Sequence, residues 1–466
     1  MSLEKCPNEY KTRAPNETIL LLLVGLFPLT ALAQTQIGDD LIGELENDLF
    51  GSSVALSEDG SRMVVGSITN SETFPGSGQV QVFENVDGTW VQLGQDINGT
   101  SLDARLGRGV AISDDGSIIA LGADGFNGTT GKVRVFEFSS GSWIQIGQDL
   151  IGSEGGSLFG NEVALSSDGS IVAVGSPAGF GDLGSASVFE NQGGTWVQLG
   201  NDIVGDVVDG LFGNGLGISS DGLRVAVGGD GFQGLGRLRA FEFVAGNWTQ
   251  VGQTIVGEDI TDRLGSNVDM SDDGSVIAVS AIGNDFMGPG AGAVRVFRDT
   301  GGTWTQIGSD ISGNLLDQFG ASVGLSGDGN VLVGGSFSAE TERIFINEND
   351  VWVELATIAG DQPNSFFGLQ SNVSKDGLTL AVGAQSFDGN GFNRGLVRVY
   401  DLSELIGCPF KLGDLNEDEA IDLLDVGPFV DALAGSGEIL CQADINGDGA
   451  VDLLDVDPFV ALLSGG

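Results

Sequence analysis

The chain has 466 residues, 41% of them hydrophobic, enough for one large domain with a real core plus a small second one. It carries 65 Asp and Glu against 19 Lys and Arg, and a net charge of −46 repels nucleic acid and anionic lipid while attracting cations. No His occurs, which removes the commonest general base, the commonest zinc ligand and any Ser-His-Asp or Cys-His arrangement, so an ordinary hydrolase is disfavoured. The 78 Gly follow no three-residue period, which excludes collagen and fits a turn-rich all-β protein.

Residues 1–33 read as an export signal. Lys5, Lys11 and Arg13 precede the apolar run Ile19 to Leu32, and Ala31-Leu32-Ala33 is a small-x-small cleavage site before Gln34. The run is about 14 residues, shorter than the roughly 20 needed to span a bilayer. No other transmembrane candidate follows, so a secreted, extracellular or cell-surface protein is expected. Cleavage discards Cys6 and leaves Cys408 and Cys441. A disulfide between them is expected in an oxidising compartment, worth about 3 kcal/mol on the chain-entropy model, two free buried thiols being the alternative.

Internal repetition dominates residues 34–403. Trp90, Trp143, Trp196, Trp248, Trp304 and Trp352 are in phase, each followed two residues later by Gln or Glu. A unit reads Phe-Gly, Val-Ala-Leu-Ser-x-Asp-Gly-Ser, a Val-Ala-Val-Gly run, Val-x-Val-Phe-Glu, then Thr-Trp-Val-Gln-Leu-Gly. Short runs rich in Val, Ile and Phe, bounded by Gly, Asp or Ser, predict four strands joined by tight turns. The first element recurs at Phe50-Gly51, Leu106-Gly107, Phe159-Gly160, Phe212-Gly213, Leu264-Gly265, Phe319-Gly320 and Phe367-Gly368, making seven units. A period near 50 with four strands predicts propeller blades around a channel. The seventh unit stops after Val397-Arg398-Val399-Tyr400 with no Trp strand, whereas Thr35-Gln36-Ile37-Gly38-Asp39-Asp40 matches Thr305-Gln306-Ile307-Gly308-Ser309-Asp310. The N-terminal strand is expected to complete the last blade and remove its edge.

On these motifs the segment from about residue 36 to 403 resembles the FG-GAP family of propeller repeats, which includes the integrin α-subunit head and many exported bacterial surface proteins. The resemblance implies an interaction scaffold and says little about its ligand. A sialidase-type propeller is disfavoured, because Asp59-Gly60, Asp115-Gly116, Asp168-Gly169 and their equivalents are adjacent pairs and Tyr400 is the only Tyr of the mature chain. The Asp-Gly pairs read as hairpin turns. Calcium in blade loops, which the integrin resemblance implies, is less favoured than plain turns for Asp124-Gly125-Phe126-Asn127-Gly128 and Asp388-Gly389-Asn390-Gly391, since neither keeps an alternating Asp-x-Asp-x-Asp-Gly spacing.

Residues 404–466 hold a second repeat. Asp414, Asn416, Asp418, Ala420, Asp422 and Asp425 recur 30 residues later as Asp444, Asn446, Asp448, Ala450, Asp452 and Asp455. Oxygens at loop positions 1, 3, 5, 9 and 12, with a backbone carbonyl at 7, converge on one hard cation, and a set without imidazole or thiolate favours calcium. Four carboxylates per loop repel one another without metal, so binding is expected to be coupled to folding. These loops resemble the type I dockerin, which pairs two such loops, each followed by a helix. Three departures stand out. Glu419 occupies position 6, where Gly is usual, so the first site is expected to be the weaker. Pro428 and Pro458 fall where the exiting helices run. Leu423-Leu424 and Leu453-Leu454 replace the Ser or Thr that the resemblance implies for cohesin recognition, so cohesin binding is in doubt. Leu423, Phe429, Leu453 and Phe459 are expected to form a shared core, and Cys408 and Cys441 each precede a loop.

The expected fold is an all-β seven-bladed β-propeller with a small C-terminal α-helical dockerin or EF-hand-like domain holding two calcium ions. The expected protein is an exported, non-catalytic, monomeric binding or adhesion protein that meets a protein partner or an extracellular glycan. The alternative is a dockerin-borne component of extracellular polysaccharide degradation.

Overall fold

The computed structural model describes residues 35–231, 234–389 and 391–406. The signal segment and the two calcium loops, with Cys408 and Cys441, lie outside the described residues.

The seven units form seven antiparallel sheets arranged as the blades of a propeller. In the first blade the strands are Phe50–Leu56, Arg62–Ser67 and Gln79–Val86, followed by an outer strand that breaks into Thr89–Gln92 and Ile97–Asn98, both paired with the third. The break recurs in five blades. The outer strands of the fourth and sixth, Asn247–Val256 and Val351–Ala359, are continuous. In the seventh blade Leu396–Asp401 takes its outer partner from the start of the described chain, with Thr35 opposite Asp401, Gln36 opposite Tyr400 and Leu41 opposite Val397.

The hydrophobic core is divided among the blade interfaces. Seven clusters of buried side chains occur, one between each neighbouring pair of blades: Phe50 and Met63 of the first blade, for example, pack with Val397 and Val399 of the seventh. The aromatic or Leu of each Phe-Gly motif is at most 4% exposed and wedges into the preceding blade. Removing such a side chain forfeits its transfer free energy and leaves a cavity, typically about 2–5 kcal/mol.

The Ser-x-Asp-Gly element closes the turn from first to second strand. In the second blade Ser113 Oγ donates to Asp115 Oδ1 (2.7 Å) and accepts the Ile118 N–H (2.9 Å), while Asp115 Oδ1 also accepts the Ser117 N–H (2.9 Å). Gly116 has φ +66°, and a Cβ there would lie 2.5 Å from Arg62 Cδ. The same three contacts occur in all seven blades. Burial alone would raise these carboxyls, but the hydrogen bonds outweigh it and hold Asp59, Asp115, Asp168 and Asp273 below the ordinary value.

The residue at the second position of each turn links the blades into a ring. The N–H of Glu58 donates to Asp114 O, Asp114 to Ser167 O, Ser167 to Ser220 O, Ser220 to Asp272 O, Asp272 to Gly327 O, Gly327 to Lys375 O, and Asp376 returns to Glu58 O, at 2.8–3.0 Å. Side chains as different as Glu58, Ser167, Gly327 and Lys375 share this position because the contact uses only backbone.

The outer rim is tied by the tryptophans. Trp143 Nε1 donates to Leu93 O (2.8 Å), Trp196 to Ile146 O (2.9 Å), Trp248 to Leu199 O (2.7 Å), Trp304 to Val251 O (3.0 Å) and Trp90 to Ile37 O (3.1 Å) of the closing segment. The Gly that follows each outer strand makes room: at Gly147, φ +73°, a Cβ would lie 2.7 Å from Trp196 Cδ1. Trp352 breaks the series, since its buried Nε1 finds no acceptor among the described residues. Trp196→Phe is therefore expected to lose more stability than Trp352→Phe by about 1–3 kcal/mol, the penalty of orphaning the Ile146 carbonyl. Calorimetric melting of the two variants checks this, and equal losses would contradict it.

Candidate functional site

All seven first strands line a central cavity of about 330 Å³. Its wall is asymmetric. Five positions after each Phe-Gly aromatic the residues are Ala55, Ala111, Ala164, Gly217 and Gly324, but Asp269 and Asn372 complete the set. Both side chains strap neighbouring blades: Asp269 Oδ2 accepts the Leu325 N–H (2.8 Å) and Asn372 Oδ1 accepts the Leu56 N–H (2.8 Å). Burial raises the Asp269 carboxyl, with Lys375 opposing. Glu162 faces the cavity from the third blade. It keeps some access to the lumen but is surrounded by protein, and burial pushes it up to about 7, eased by Arg108 and worsened by Asp269.

The mouth at the Ser-x-Asp-Gly turns is acidic with one cation. Lys375 Nζ donates to Met270 O (3.3 Å) and lies 3.7 Å from Asp272. Burial would lower its pKa, but Asp269, Asp272 and Asp114 outweigh that and hold it above the ordinary value. Glu58 and Asp114 at the same mouth are raised, by burial first and by neighbouring carboxylates second. At the opposite mouth, Arg108 Nε donates to Asn161 Oδ1 (3.2 Å), Asn161 Nδ2 to Asn214 Oδ1 (3.3 Å), and Asp230 pairs with Arg263.

These groups hold blades together, and none forms a nucleophile, base and orienting-group constellation. Among the described residues no group of three or more Cys, Asp or Glu is placed to hold a metal. Asp124, in the loop weighed for calcium, is buried and paired with Arg105 at 2.9 Å. Asp388 Oδ1 accepts the Asn393 N–H (3.0 Å), and Asn390 lies outside the described residues. The calcium-loop positions Asp414 to Asp455 lie there too.

Glu342 went unnoticed in the sequence although a signal was present. The aligned third strands carry Val80, Val133, Ala186, Leu238, Val294 and Val397 at its position, so a carboxylic acid breaks an apolar column. It is fully buried at the wall between the sixth and seventh blades. Ser371 Oγ donates to Oε1 (2.8 Å), and Oε2 has no partner among the described residues. Burial pushes the carboxyl up to about 8, with Ser371 and Ser322 only moderating it.

The fold and site define a seven-bladed β-propeller whose repeats are of FG-GAP type: a family model described as FG-GAP repeat matches residues 44–83. No curated protein is significantly similar to the sequence. Among solved structures, the chain is similar to hydrazine synthase of Kuenenia stuttgartiensis (TM-score 0.52, 13% identity, 76% of this chain and 96% of that one). It is also similar to the Cps50 (Swd1) β-propeller domain of Myceliophteria thermophila (TM-score 0.52, 11% identity, 78% and 99%). At these identities the likeness shows the fold alone.

Because the folded Glu342 pKa lies above its unfolded value near 4.5, the neutral acid's contribution is fully present below about pH 4.5 and is lost as pH rises towards about 8. Glu342→Gln is expected to remove that dependence. Wild type should fall relative to the variant by on the order of 4 kcal/mol between pH 5 and 9. Parallel melting curves across that range would refute it.

Proposed function

We propose that the chain is an exported, non-catalytic binding or adhesion protein whose propeller presents an interaction face and whose C-terminal segment, 404–466, folds around two calcium ions to dock or anchor it. A propeller with FG-GAP repeats fits a binding or interaction role. The observation that supports the reading is the distribution of exposed apolar side chains. Leu45, Leu102, Val208, Ile260, Leu315 and Leu316, with Phe74, Phe286, Met287 and Phe392, stand on the loops between blades and between second and third strands, which emerge on one face. Phe286 is 82% and Ile260 75% exposed, and each neighbours Asp or Glu in sequence. Exposed apolar residues concentrated on one face mark a contact surface, and the acids between them suit a partner that carries positive charge.

The docking half of the reading comes from the doubled ligand spacing at Asp414 to Asp425 and Asp444 to Asp455. Titration of calcium into the mature chain, 34–466, by calorimetry with circular dichroism tests it. Two binding events are expected, the stronger lost in Asp444→Ala/Asp448→Ala, with a gain of helix. Silence at millimolar calcium would leave a propeller with an acidic tail. Hydrolysis of any member of a glycan panel would replace the non-catalytic reading with the polysaccharide-degrading one.

A further inference from the structure

Two residues before its aromatic, the third strand of six blades carries a long polar side chain: Gln81, Arg134, Arg239, Arg295, Arg343 and Arg398. The third blade has Ser187. The long side chains fill a defined slot. In the sixth blade the Arg343 guanidinium lies 4.7 Å from the Phe319 ring and 4.8 Å from the Phe345 ring, and its Nη2 donates to Glu354. In the fourth, Arg239 lies 5.4 Å from Phe212 and 4.8 Å from Phe241 and donates to Gln250. Arg295 Nε donates to Asp310 (2.9 Å) and Arg398 Nε to Asp40 (2.8 Å), carboxylates from the outer strands of their blades.

The third blade keeps every wall of that slot and lacks the occupant. Phe159 and Phe189 are present, with ring centroids 6.2 Å apart and edge to face. Asp202 stands where Asp310 and Asp40 stand. Ser187 Oγ (2.6 Å) and Gln198 Nε2 (2.7 Å) both donate to its Oδ1, and among the described residues no Lys or Arg pairs with it. The space left is a cavity of about 140 Å³ lined by Phe159, Phe189, Ser185, Ser187, Gln198 and Asp202. Ser185 and Gly179 widen it, for the second blade has Lys132 and Phe126 there, with the ammonium 4.2 Å from the ring. Phe189 alone among the seven third-strand aromatics is not buried.

We propose that this slot binds a guanidinium group on an alkyl stem brought from outside the chain, the chemistry of an arginine side chain. The guanidinium would stack on Phe189 and Phe159 and donate to Asp202 Oδ2, as Arg343 and Arg295 do within their own blades. A slot already shaped and desolvated by its neighbours holds the group without reorganisation, and the chain's net charge favours approach of the cation.

The test is titration of the mature chain with ethylguanidinium at fixed ionic strength, followed by calorimetry and ligand-observed NMR. One saturable site with a dissociation constant of about 1 mM is expected. Ser187→Arg should fill the slot, raise the melting temperature and weaken binding at least about tenfold, and Asp202→Asn, which keeps size and shape, should weaken it similarly. Free arginine and a blocked Ala-Arg-Ala peptide then separate a small-molecule ligand from an arginine on a protein partner. Absence of saturation, equal binding of tetramethylammonium, or binding unchanged in both variants would overturn the site. The site rests on reading the propeller as a binding scaffold, but calcium binding and helix gain report the docking module alone, so the two can fail separately.

Discussion

Closure of the ring is the constraint on which everything else depends. Each sheet is too small to bury its own faces, and the seven cores exist only between neighbours. Two circles of hydrogen bonds secure the closure: backbone to backbone at the acidic channel mouth and indole to backbone at the outer rim. Between them the Phe-Gly side chains wedge one blade into the next. A blade removed from this setting would expose two apolar faces and two open edges.

Much of this was written legibly in the repeats. The seven Phe-Gly positions, the Asp-Gly turns and the phased tryptophans specify blade number, turn positions and interfaces, because packing and turn chemistry act on side-chain type. The ring of bonds through Glu58, Asp114, Ser167, Ser220, Asp272, Gly327 and Lys375 was not legible, because backbone atoms make it and the side chains share nothing. Nor was the left-handed backbone of Leu49, Arg105, Leu158, Leu211, Arg263, Gln318 and Phe366 before each motif, with φ between +51° and +61°. Residues of these types rarely adopt it, and tertiary packing imposes it. The breaks in periodicity were readable once the repeats were aligned. Glu342 in an apolar column and Ser187 in a column of long side chains both depart from their neighbours, and the structure gives each departure its physical meaning.

The scarcity of cations gives the blades an economy of charge. Of the basic side chains described, Arg62, Arg105, Arg224, Arg263, Arg295, Arg298, Arg343 and Arg398 are each within 4 Å of a carboxylate of the protein. Arg295 and Asp262 are almost wholly enclosed and hold a junction between blades, where loss of one partner would strand the other. The exposed pairs contribute little to stability. Their effect is to neutralise acids inside the blades, so the remaining negative charge faces outward.

The shared seventh blade also fixes where the polypeptide enters and leaves. Thr35 lies opposite Asp401 on adjacent strands, about 4.8 Å apart in an ordinary sheet. Anything attached before residue 35 and anything attached after residue 406 therefore starts from the same edge of the same blade, however many residues separate them along the chain. A tether at either end would pull on that one blade, and the load would pass to the other six only through the closed ring.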